Sequence, residues 1–510
     1  MVLYRGGRVY TPVNPTATAM LVEDGRVIWL GPDDQAPEAD EVVDLDGGLV
    51  TPAFVDAHVH TTNTGITLSG LRLGQTRSAE ELLDALARHC GSLPADAVVI
   101  GHGWDESTWP VQRLPDAAEL DRAAGGRMAY LSQASIHSAL CSAALLAADP
   151  SVVDVPGYDE SGWLRRQAHH VVRGIALASI SSGQRRAAQA AALRDAAALG
   201  IAAVHECAGP GTSDEADFTG LLALGGAPNR LPEVYGYWGE LMAAEKAKGM
   251  GAVGAGGDLY ADGALGSRTA HLRKPYLDGP EGTVGHGYVT AEQVGEHVVD
   301  CVQHAVQAGF HAIGDEAIST VLDGFAAAAR VVGLDRLRAG RHRIEHVEIV
   351  DKAIIGRLVS FAIVASVQPA FDRLWGGANQ MYAQRLGVER SLEANPMGAM
   401  HGVGVALAFG SDSPVTPLDP WGSVRAAAWH YNPAYRMSVR AAFAAHTRGG
   451  WRAVHRDNEG GLLPGAPATF AIWRTGDLAG GLPVLEPGGE LPTCRRTVLR
   501  GVTIFDQEAA

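Results

Sequence analysis

The sequence predicts an α/β protein: a (β/α)₈ barrel, a small β-sandwich formed by the two chain ends, and an α/β insertion after the first barrel strand. Three observations predict this fold. Both ends of the 510-residue chain contain short strands separated by turn residues. From residue 53 a strand-then-helix pattern recurs about eight times, as an eight-stranded barrel requires. Polar side chains stand at the ends of several of these strands.

The chain ends have the sequence pattern of a small β module. Asp24-Gly25 and Asp46-Gly-Gly48 provide hairpin turn chemistry, and no helical period accompanies them. The apolar or alternating runs are residues 7–10, 19–22 and 26–30, and then 464–473 and 497–504. We therefore expect residues 1–52 and 463–510 to form one β-sandwich domain beside a barrel of residues 53–462.

The segment at about residues 65–175 has a different pattern and is predicted to be an insertion. The apolar residues of Ala79–His89 recur with the period of an amphipathic helix, and Ser78 is its predicted N-cap. Residues 97–100 and 128–131 resemble buried strands. Gly101–Pro110 between them is predicted to be an aromatic and polar loop.

From residue 182 onward, helices and strands alternate. The predicted helices are 184–199, 215–224, 290–308, 316–332 and 351–358, and the predicted strands are 201–206, 233–237, 258–262, 309–313, 343–347, 363–368 and 405–409. A doubly wound open sheet is the alternative to a barrel. No glycine-rich phosphate fingerprint follows the first strand, which favours the barrel.

Composition narrows the class of protein. The formal net charge of −16 argues against nucleic-acid or anionic-membrane partners, and a small-molecule substrate is expected. No apolar run is long enough for a transmembrane helix, and no signal-peptide pattern opens the chain. Five scattered cysteines without metal-type spacing fit a reducing cytoplasm. The oligomeric state stays open, with a homodimer as one expectation.

Chemistry-bearing residues stand at the strand ends. His58 and His60 share a face of one strand because side chains two residues apart point the same way. Two imidazoles side by side are half of a transition-metal site. His311, His346 and Asp412 end later strands. Because active sites of such barrels lie at the carboxyl ends of the strands, these five residues predict one metal site.

The sequence resembles the amidohydrolase superfamily of metal-dependent hydrolases, and within it the amidohydrolase-3 (YtcJ-like) branch. The similarity extends over nearly the whole chain in the family's order. The stretches that carry it are Thr51–His60, Ala261–Ala270, His311–Asp315, Arg343–His346, Phe409–Pro414 and Gly461–Ala468.

This resemblance implies a metal-centred barrel with a split β-sandwich. It also implies that His58, His60, His311 and His346 bind metal. Asp412 would ligate the metal or hydrogen-bond the metal-bound water, and would act as general base. Zinc is the expected metal, as one or two ions, with iron or manganese as alternatives. A divalent cation acidifies water, and a neighbouring carboxylate takes the proton and returns it to the leaving group.

The sequence departs from the family at one position. Many relatives carry a carboxylated lysine that bridges two metals just before the Ala-Asp-Gly motif, and here Asp258 stands there. Either Asp258 or Glu206 could replace the lysine, or the site could hold a single metal. By strand alternation His205 and Glu206 face opposite sides, and the sequence does not reveal which one faces inward.

Residues outside the ligand set complete the predicted site. Asp315 is expected to orient His311, with Glu345 in a similar role. The candidates for substrate contact are Trp104, His137, Arg268 and Gln368.

The function predicted from these residues is hydrolysis of a C–N bond, of amide or N-acyl type. Deamination or ester hydrolysis at the same site is the alternative within enzymes. A non-catalytic metal or ligand binder is the alternative outside them. The presence of Asp412 argues against a binder, which has no need of a base.

Overall fold

A computed structural model describes residues 1–135 and 138–508 of the chain. The chain divides into two compact units, one of Met1–His60 with Leu193–Ala510 and one of Thr61–Ala192. All five cysteines are buried and unpaired with one another. Over the described part of the chain, no helix combines the length and apolarity needed to cross a membrane.

The N-terminal segment is built of short strands, as predicted. They are β1 (Val2–Arg5), β2 (Arg8–Val9), β3 (Ala19–Glu23), β4 (Arg26–Gly31), β5 (Glu41–Asp44) and β6 (Leu49–Pro52). Four of them form a sheet in the order β4-β3-β1-β5, in which β5 pairs parallel with β1. The first barrel strand, β7 (Phe54–Val59), follows directly and is buried along its whole length.

The unit Thr61–Ala192 contains its own five-stranded sheet, in the order β12-β11-β10-β9-β8. Its strands are β8 (Leu71–Arg72), β9 (Val99–Trp104), β10 (Ala129–Gln133), β11 (Ser138–Cys141) and β12 (Trp163–Arg165). Its helices are α1 (Thr61–Ser69), α2 (Ala79–Cys90), α3 (Ala117–Ala124), α4 (Ala143–Leu146), α5 (Arg166–Ala178) and α6 (Ser182–Ala198), the last of which runs on past residue 192. The loop predicted at Gly101–Pro110 is strand as far as Trp104, because Leu131 and Ser132 pair with its first residues.

The barrel prediction is confirmed by an eight-stranded parallel sheet. After β7 its strands are β13 (Ile201–Ala208), β14 (Glu233–Trp238), β15 (Gly254–Ala255), β16 (Gln307–Ala312), β17 (Arg343–His346), β18 (Val364–Val367) and β19 (Ala406–Phe409). They lie in chain order, and a parallel bridge between Val59 and Ser413 brings the last strand end beside the first. This order puts all their carboxyl ends on one rim.

Helices follow the strands and cover the sheet with apolar faces. They are α7 (Glu215–Leu224), α8 (Ala244–Gly249), α9 (Ala291–His304), α10 (Asp315–Val332), α11 (Leu334–Ala339), α12 (Lys352–Phe361), α13 (Pro369–Trp375), α14 (Met381–Leu386), α15 (Val388–Glu393), α16 (Met397–Gly402), α17 (Pro420–Ala428), α18 (Val439–Ala444) and α19 (Gly450–Ala453). Capping explains several starts. Thr290 and Gln293, for example, form a reciprocal capping box at α9.

The fourth barrel strand differs from its prediction. Residues 258–262 are not a regular strand, and β15 is only the two residues Gly254–Ala255. Gly256 and Gly257 interrupt it, and Gly257 has a φ of +75°, which favours glycine. The following segment still runs beside β16, because His311 bonds the backbone of Leu259 and Ala261. This irregular segment carries Asp258 to the rim.

The C-terminal strands return to the N-terminal ones. They are β20 (Phe470–Arg474), β21 (Leu478–Ala479), β22 (Leu482–Pro483), β23 (Thr493–Leu499) and β24 (Val502–Asp506). A five-stranded sheet runs β2-β6-β20-β23-β24, in which Ile472 of β20 faces Val50 of β6. The strands of both chain ends are thus paired, and β6, which takes part in this pairing, lies immediately before β7 in the chain.

His446 supports the base of the first barrel strand. It lies in a π-helical turn (Ala445–Gly449) after α18, and its Nδ1–H donates to the carbonyl of Val55 at 2.9 Å. The ring packs edge-on against Phe54 and is fully enclosed. Burial lowers the pKa of His446 to about 4. The folded chain therefore keeps this imidazole neutral where the unfolded chain protonates it.

We expect the free energy of unfolding to fall as the pH drops from 6.5 to 4, because over this range only the unfolded chain takes up the proton of His446. In His446→Asn, the amide N–H keeps a donor near Val55 but does not titrate. The slope of the unfolding free energy against pH should decrease by about 1.4 kcal/mol per pH unit near pH 5. Denaturant titrations at several pH values measure it. His401→Asn, on the exposed surface, should leave the slope unchanged, and an equal slope in His446→Asn and the parent contradicts the assignment.

Candidate metal centre

The barrel rim gathers six of the seven predicted metal ligands. His58 and His60 come from the end of β7, His311 from β16 and His346 from β17. Asp412 follows β19, and Asp258 follows β15. Groups of these six place ligand atoms within 4.8 Å of one another.

Asp412 faces the two histidines of β7. Its Oδ1 lies 3.4 Å from His58 Nε2 and 3.2 Å from His60 Nε2. Its backbone N–H donates to the carbonyl of His58 at 2.8 Å. The backbone and the side chain of Asp412 are therefore both fixed to the strand that carries the first histidine pair.

Asp258 lies between two pairs of histidines. Its Oδ2 is 3.1 Å from His60 Nε2, and its Oδ1 is 3.6 Å from His58 Nε2. The same Oδ1 is 3.6 Å from His311 Nδ1 and 3.8 Å from His346 Nε2. One carboxylate thus faces both pairs, as a bridging ligand must.

Several of these atoms have no hydrogen-bond partner within the described chain. They are His58 Nε2, His311 Nδ1, Asp258 Oδ1 and Asp412 Oδ1, all buried. A buried polar atom left unpaired is costly. Spacings of about 3–3.5 Å between donors result when ligands surround one ion at about 2.1 Å. Imidazole nitrogens and carboxylate oxygens suit zinc, iron and manganese, so the residues present fit a divalent metal.

One ring nitrogen of three of these imidazoles is bonded outside the cluster, and the remaining nitrogen of each faces the cluster. The pairs are His58 Nδ1 with Glu345 Oε2 at 2.8 Å, His346 Nδ1 with Gln368 Oε1 at 2.9 Å, and His311 Nε2 with the Gly263 carbonyl at 3.2 Å. Since each acceptor needs a ring N–H, the contacts select one tautomer for each histidine.

Beneath the cluster, Arg343 and Glu345 form a fully buried ion pair. The two residues alternate with Ile344 on β17 and therefore share the inner face of the barrel. Arg343 Nη2 donates to Glu345 Oε2 at 2.8 Å and to the Ala57 carbonyl at 2.6 Å. The guanidinium lies over the Tyr237 ring, 4.3 Å from its centroid. The pair ties three barrel strands together and holds the acceptor of His58.

The charges of the cluster favour a cation. Burial would raise the pKa of Asp258, but the surrounding imidazoles, led by His58, outweigh it and hold that pKa well below its usual value. Burial would lower the pKa of His346, but the Asp258 carboxylate and the charge of Asp412 raise it to about 9. Two carboxylates in one enclosed space thus draw protons onto their neighbours, and a metal ion offers the same positive charge.

The backbone at the rim is held in an uncommon conformation. His346 and Asp412 have φ angles of +72° and +57°, in the left-handed region that non-glycine residues rarely adopt. Such conformations cost about 1–3 kcal/mol and concentrate at functional sites. Buried Asp56 helps to hold this region by accepting from the backbone N–H groups of His58 and Ser411. Burial raises the pKa of Asp56 to about 6.

Glu206 is the predicted ligand that stays apart. On β13, His205 points into the barrel, where its Nδ1 lies 3.1 Å from Arg343 Nη1. Alternation then turns the neighbouring Glu206 to the other face of the strand. Among the described residues, Glu206 belongs to none of the groups whose ligand atoms lie within 4.8 Å of one another.

The residues predicted around the ligands have varied placements. Gln368, predicted to contact substrate, is hydrogen-bonded to His346. Trp104 is fully buried in the core of the insertion, where its indole N–H donates to the Leu131 carbonyl. Arg268 forms a two-point ion pair with Asp278. His137 lies outside the described residues.

Asp315 does not take the role that the sequence suggested. Its Oδ1 accepts from the backbone N–H of Arg273, and the partner of His311 is Gly263. Glu345 has the orienting position, against His58. Nearby, Asp262 accepts from the backbone N–H groups of Ile313 and Gly314 and so fixes the chain after His311.

Three residues of the site were not singled out from the sequence: Asp56, Asp262 and Arg343. His205 was named only as the neighbour of Glu206 that faces the opposite side. Strand alternation was the available signal for Arg343, which stands two residues before Glu345 on the same face. Asp56 likewise stands two residues before His58. Some of their contacts join residues that are distant in the chain, for example Arg343 with His205 and Asp56 with Ser411, which local sequence does not encode.

Comparison with known proteins agrees with this geometry. A protein named YtcJ from Bacillus subtilis strain 168 is 26% identical over 99% of each chain. The N-substituted formamide deformylase of Arthrobacter pascens is 23% identical over 82% of this chain and 81% of its own. Among solved structures, an uncharacterized metal-dependent hydrolase from Pyrococcus furiosus matches with a TM-score of 0.77, at 25% identity over 92% of this chain and 98% of that one.

The barrel, its rim of histidines and carboxylates, and these relatives define the class as metal-dependent hydrolases that act on C–N bonds. The chain belongs to the amidohydrolase family, whose profile matches residues 41–505. The resemblance expected from the sequence is therefore confirmed.

Arg343→Met should lower the free energy of unfolding by about 3–5 kcal/mol, because it leaves the Glu345 carboxylate buried without its counter-charge. The double variant Arg343→Met/Glu345→Gln should be more stable than the single variant, since the amide is neutral and still accepts from His58. Denaturant unfolding of metal-stripped protein measures both. A double variant as unstable as Arg343→Met contradicts the role of the ion pair.

Proposed function

We propose that this chain hydrolyses the C–N bond of an amide or N-acyl compound at the rim cluster, with Asp412 as general base and then general acid. The observation that supports this most directly is the convergence of four buried, unpartnered ligand atoms from four different segments of the barrel. A purely structural cluster would be expected to pair these atoms internally.

The ligand set we propose is His58, His60, His311, His346 and Asp258, with Asp412 beside the two histidines of β7. A divalent cation held there, zinc being our first candidate, would supply the Lewis acidity that acidifies water and polarises a carbonyl. Asp258, which faces both histidine pairs, would take the place that a carboxylated lysine has in many relatives.

Asp412 is suited to proton transfer by its position. Its Oδ1 is directed at the histidine pair and has no hydrogen-bond partner within the described chain, so it is free to accept a proton from an attacking water. The backbone bond to His58 fixes the chain at Asp412 beside the histidine pair. Returning that proton to the departing nitrogen completes the cleavage, since an amine leaves far more readily than an amide anion.

The residues behind the ligands would keep the cluster ready for substrate. Glu345 and Gln368 select the ring nitrogens that His58 and His346 present. Arg343 keeps Glu345 charged: burial would raise the pKa of Glu345, but the guanidinium holds it well below its usual value. Side chains fixed in this way need no reorganisation when a substrate arrives.

Asp412→Asn should lose at least about a hundredfold in turnover on any substrate that the parent cleaves, because the amide cannot accept the proton. We would assay zinc-, iron- and manganese-reconstituted protein on a panel of N-substituted formamides and N-acyl amines, which the deformylase relative suggests. Asp315→Asn, on a carboxylate bonded to Arg273, is the matched control.

Three outcomes contradict the proposal. If Asp412→Asn retains the turnover of the parent, Asp412 is not the general base. Bound metal without turnover on any carbonyl compound favours a metal-binding protein instead. A chain that binds no metal after reconstitution rules out both roles.

Asp258→Asn and Glu206→Gln distinguish the two candidate carboxylate ligands. We expect Asp258→Asn to lower the metal content per chain, since Asp258 faces both histidine pairs. Glu206→Gln should retain the parent's content because Glu206 points to the other side of β13. Elemental analysis after dialysis against a weak chelator gives the readout. A lower metal content in Glu206→Gln, with unchanged content in Asp258→Asn, would identify Glu206 as the carboxylate ligand.

A further inference from the structure

We propose a second ligand site: an open cavity in the Met1–His60 and Leu193–Ala510 unit that binds a planar organic dianion. Its volume is about 480 Å³. The wall residues come from three segments, namely α13, the chain from Pro417 to Arg436, and the loop at Pro487–Gly488. This site is additional to the proposed hydrolytic centre and does not depend on it.

The cavity concentrates positive charge in an acidic chain. Arg373, Arg425 and Arg436 all line it. Within the described residues none of the three makes an ion pair, whereas many other arginines of the chain do, Arg268 and Arg496 among them. Asp419 is the acidic residue in the wall, and it accepts the backbone N–H of Gly422 at the start of α17. Three guanidinium groups and one carboxylate leave a net charge of about +2.

Each guanidinium is held in place by a neutral partner. Arg373 donates to the Tyr431 hydroxyl, Arg425 to the Gly489 carbonyl and Arg436 to the His430 carbonyl, each through one nitrogen. Arg436 also lies over the Trp429 ring, 5.2 Å from its centroid. The remaining N–H groups of the three guanidinium groups are left to donate to a ligand. Arginine's planar fork matches a carboxylate or phosphate in two-point contact.

Much of the rest of the wall is apolar, with Ser423 and Tyr431 as the polar exceptions. Leu374, Pro417, Trp429 and Pro487 offer flat hydrophobic surface between the charged groups. A bare inorganic anion would leave this surface in contact with water, whereas a ring bearing two anionic groups would cover it. The chemistry of the wall therefore favours an aromatic dicarboxylate or a comparable planar dianion.

Helix α13 separates this cavity from the rim cluster. Phe371 stacks on the His346 ring, with centroids 5.9 Å apart and planes 10° apart. Ala370, Arg373 and Leu374 of the same helix line the cavity, whereas Phe371 does not. The cavity thus has its own wall and shares none of its lining residues with the metal ligands.

Isothermal titration calorimetry of the metal-loaded chain with phthalate tests the proposal. We expect one phthalate per chain, and affinity at least about tenfold weaker in Arg425→Met/Arg436→Met, because charge-assisted hydrogen bonds are lost. Arg474→Met removes one exposed positive charge outside the cavity and should leave the affinity unchanged. Arg425→Lys keeps the charge without the fork and should weaken binding less than the double variant does.

Two further ligands test which property of the anion the cavity recognises. Dimethyl phthalate has the same ring without charge and should not bind, and inorganic phosphate should bind much more weakly. Absence of phthalate binding at millimolar concentration overturns the proposal, as does equal affinity in the double variant. Binding that disappears with metal removal but tolerates both arginine substitutions would place phthalate at the rim cluster instead. Equal binding of inorganic phosphate would reduce the cavity to a non-selective charged surface.

Discussion

The buried ion pair between Arg343 and Glu345 is the interaction on which the rim depends. It places a permanent charge of each sign inside the barrel and uses them to fix the His58 ring. A buried charge is tolerated only when it is paired and hydrogen-bonded, so the pair also dictates its surroundings. The Ala57 carbonyl, the Ser366 hydroxyl and the face of the Tyr237 ring all contact the guanidinium. The barrel interior is therefore held together by this buried ion pair and its hydrogen bonds as well as by apolar packing.

The carboxylates at the rim have a contrasting role. Arg343 and Glu345 satisfy one another, whereas Asp258 and Asp412 are directed at imidazoles and leave oxygen atoms unpaired. The unpaired atoms of Asp258 and Asp412 border the space where a cation fits. The Arg343–Glu345 pair holds His58, one of the residues around that space. Asp258 lies between two histidine pairs and is carried to the rim by an irregular segment after Gly257, and the proposal of a bridging carboxylate rests on this position.

Much of this architecture could be predicted from local patterns. The barrel, the paired chain ends and the family follow from strand–helix alternation and from motifs such as His58-Val-His60, because both are encoded over a few neighbouring residues. Asp258 and Glu206 could not be distinguished in the same way. The choice depends on which side of β13 faces inward. In the structure His205 is on that side, where it meets Arg343, 138 positions further along.

The sequence by itself determined which residue types stand at the strand ends, since composition and spacing are local. Only the tertiary structure decided what each of them meets. It paired Gln368 with His346 and Glu345 with His58, enclosed Trp104 in a separate core, and turned three arginines toward one cavity. The physical reason is that hydrogen-bond partners and burial arise from long-range packing, in which distant segments compete to satisfy each polar group.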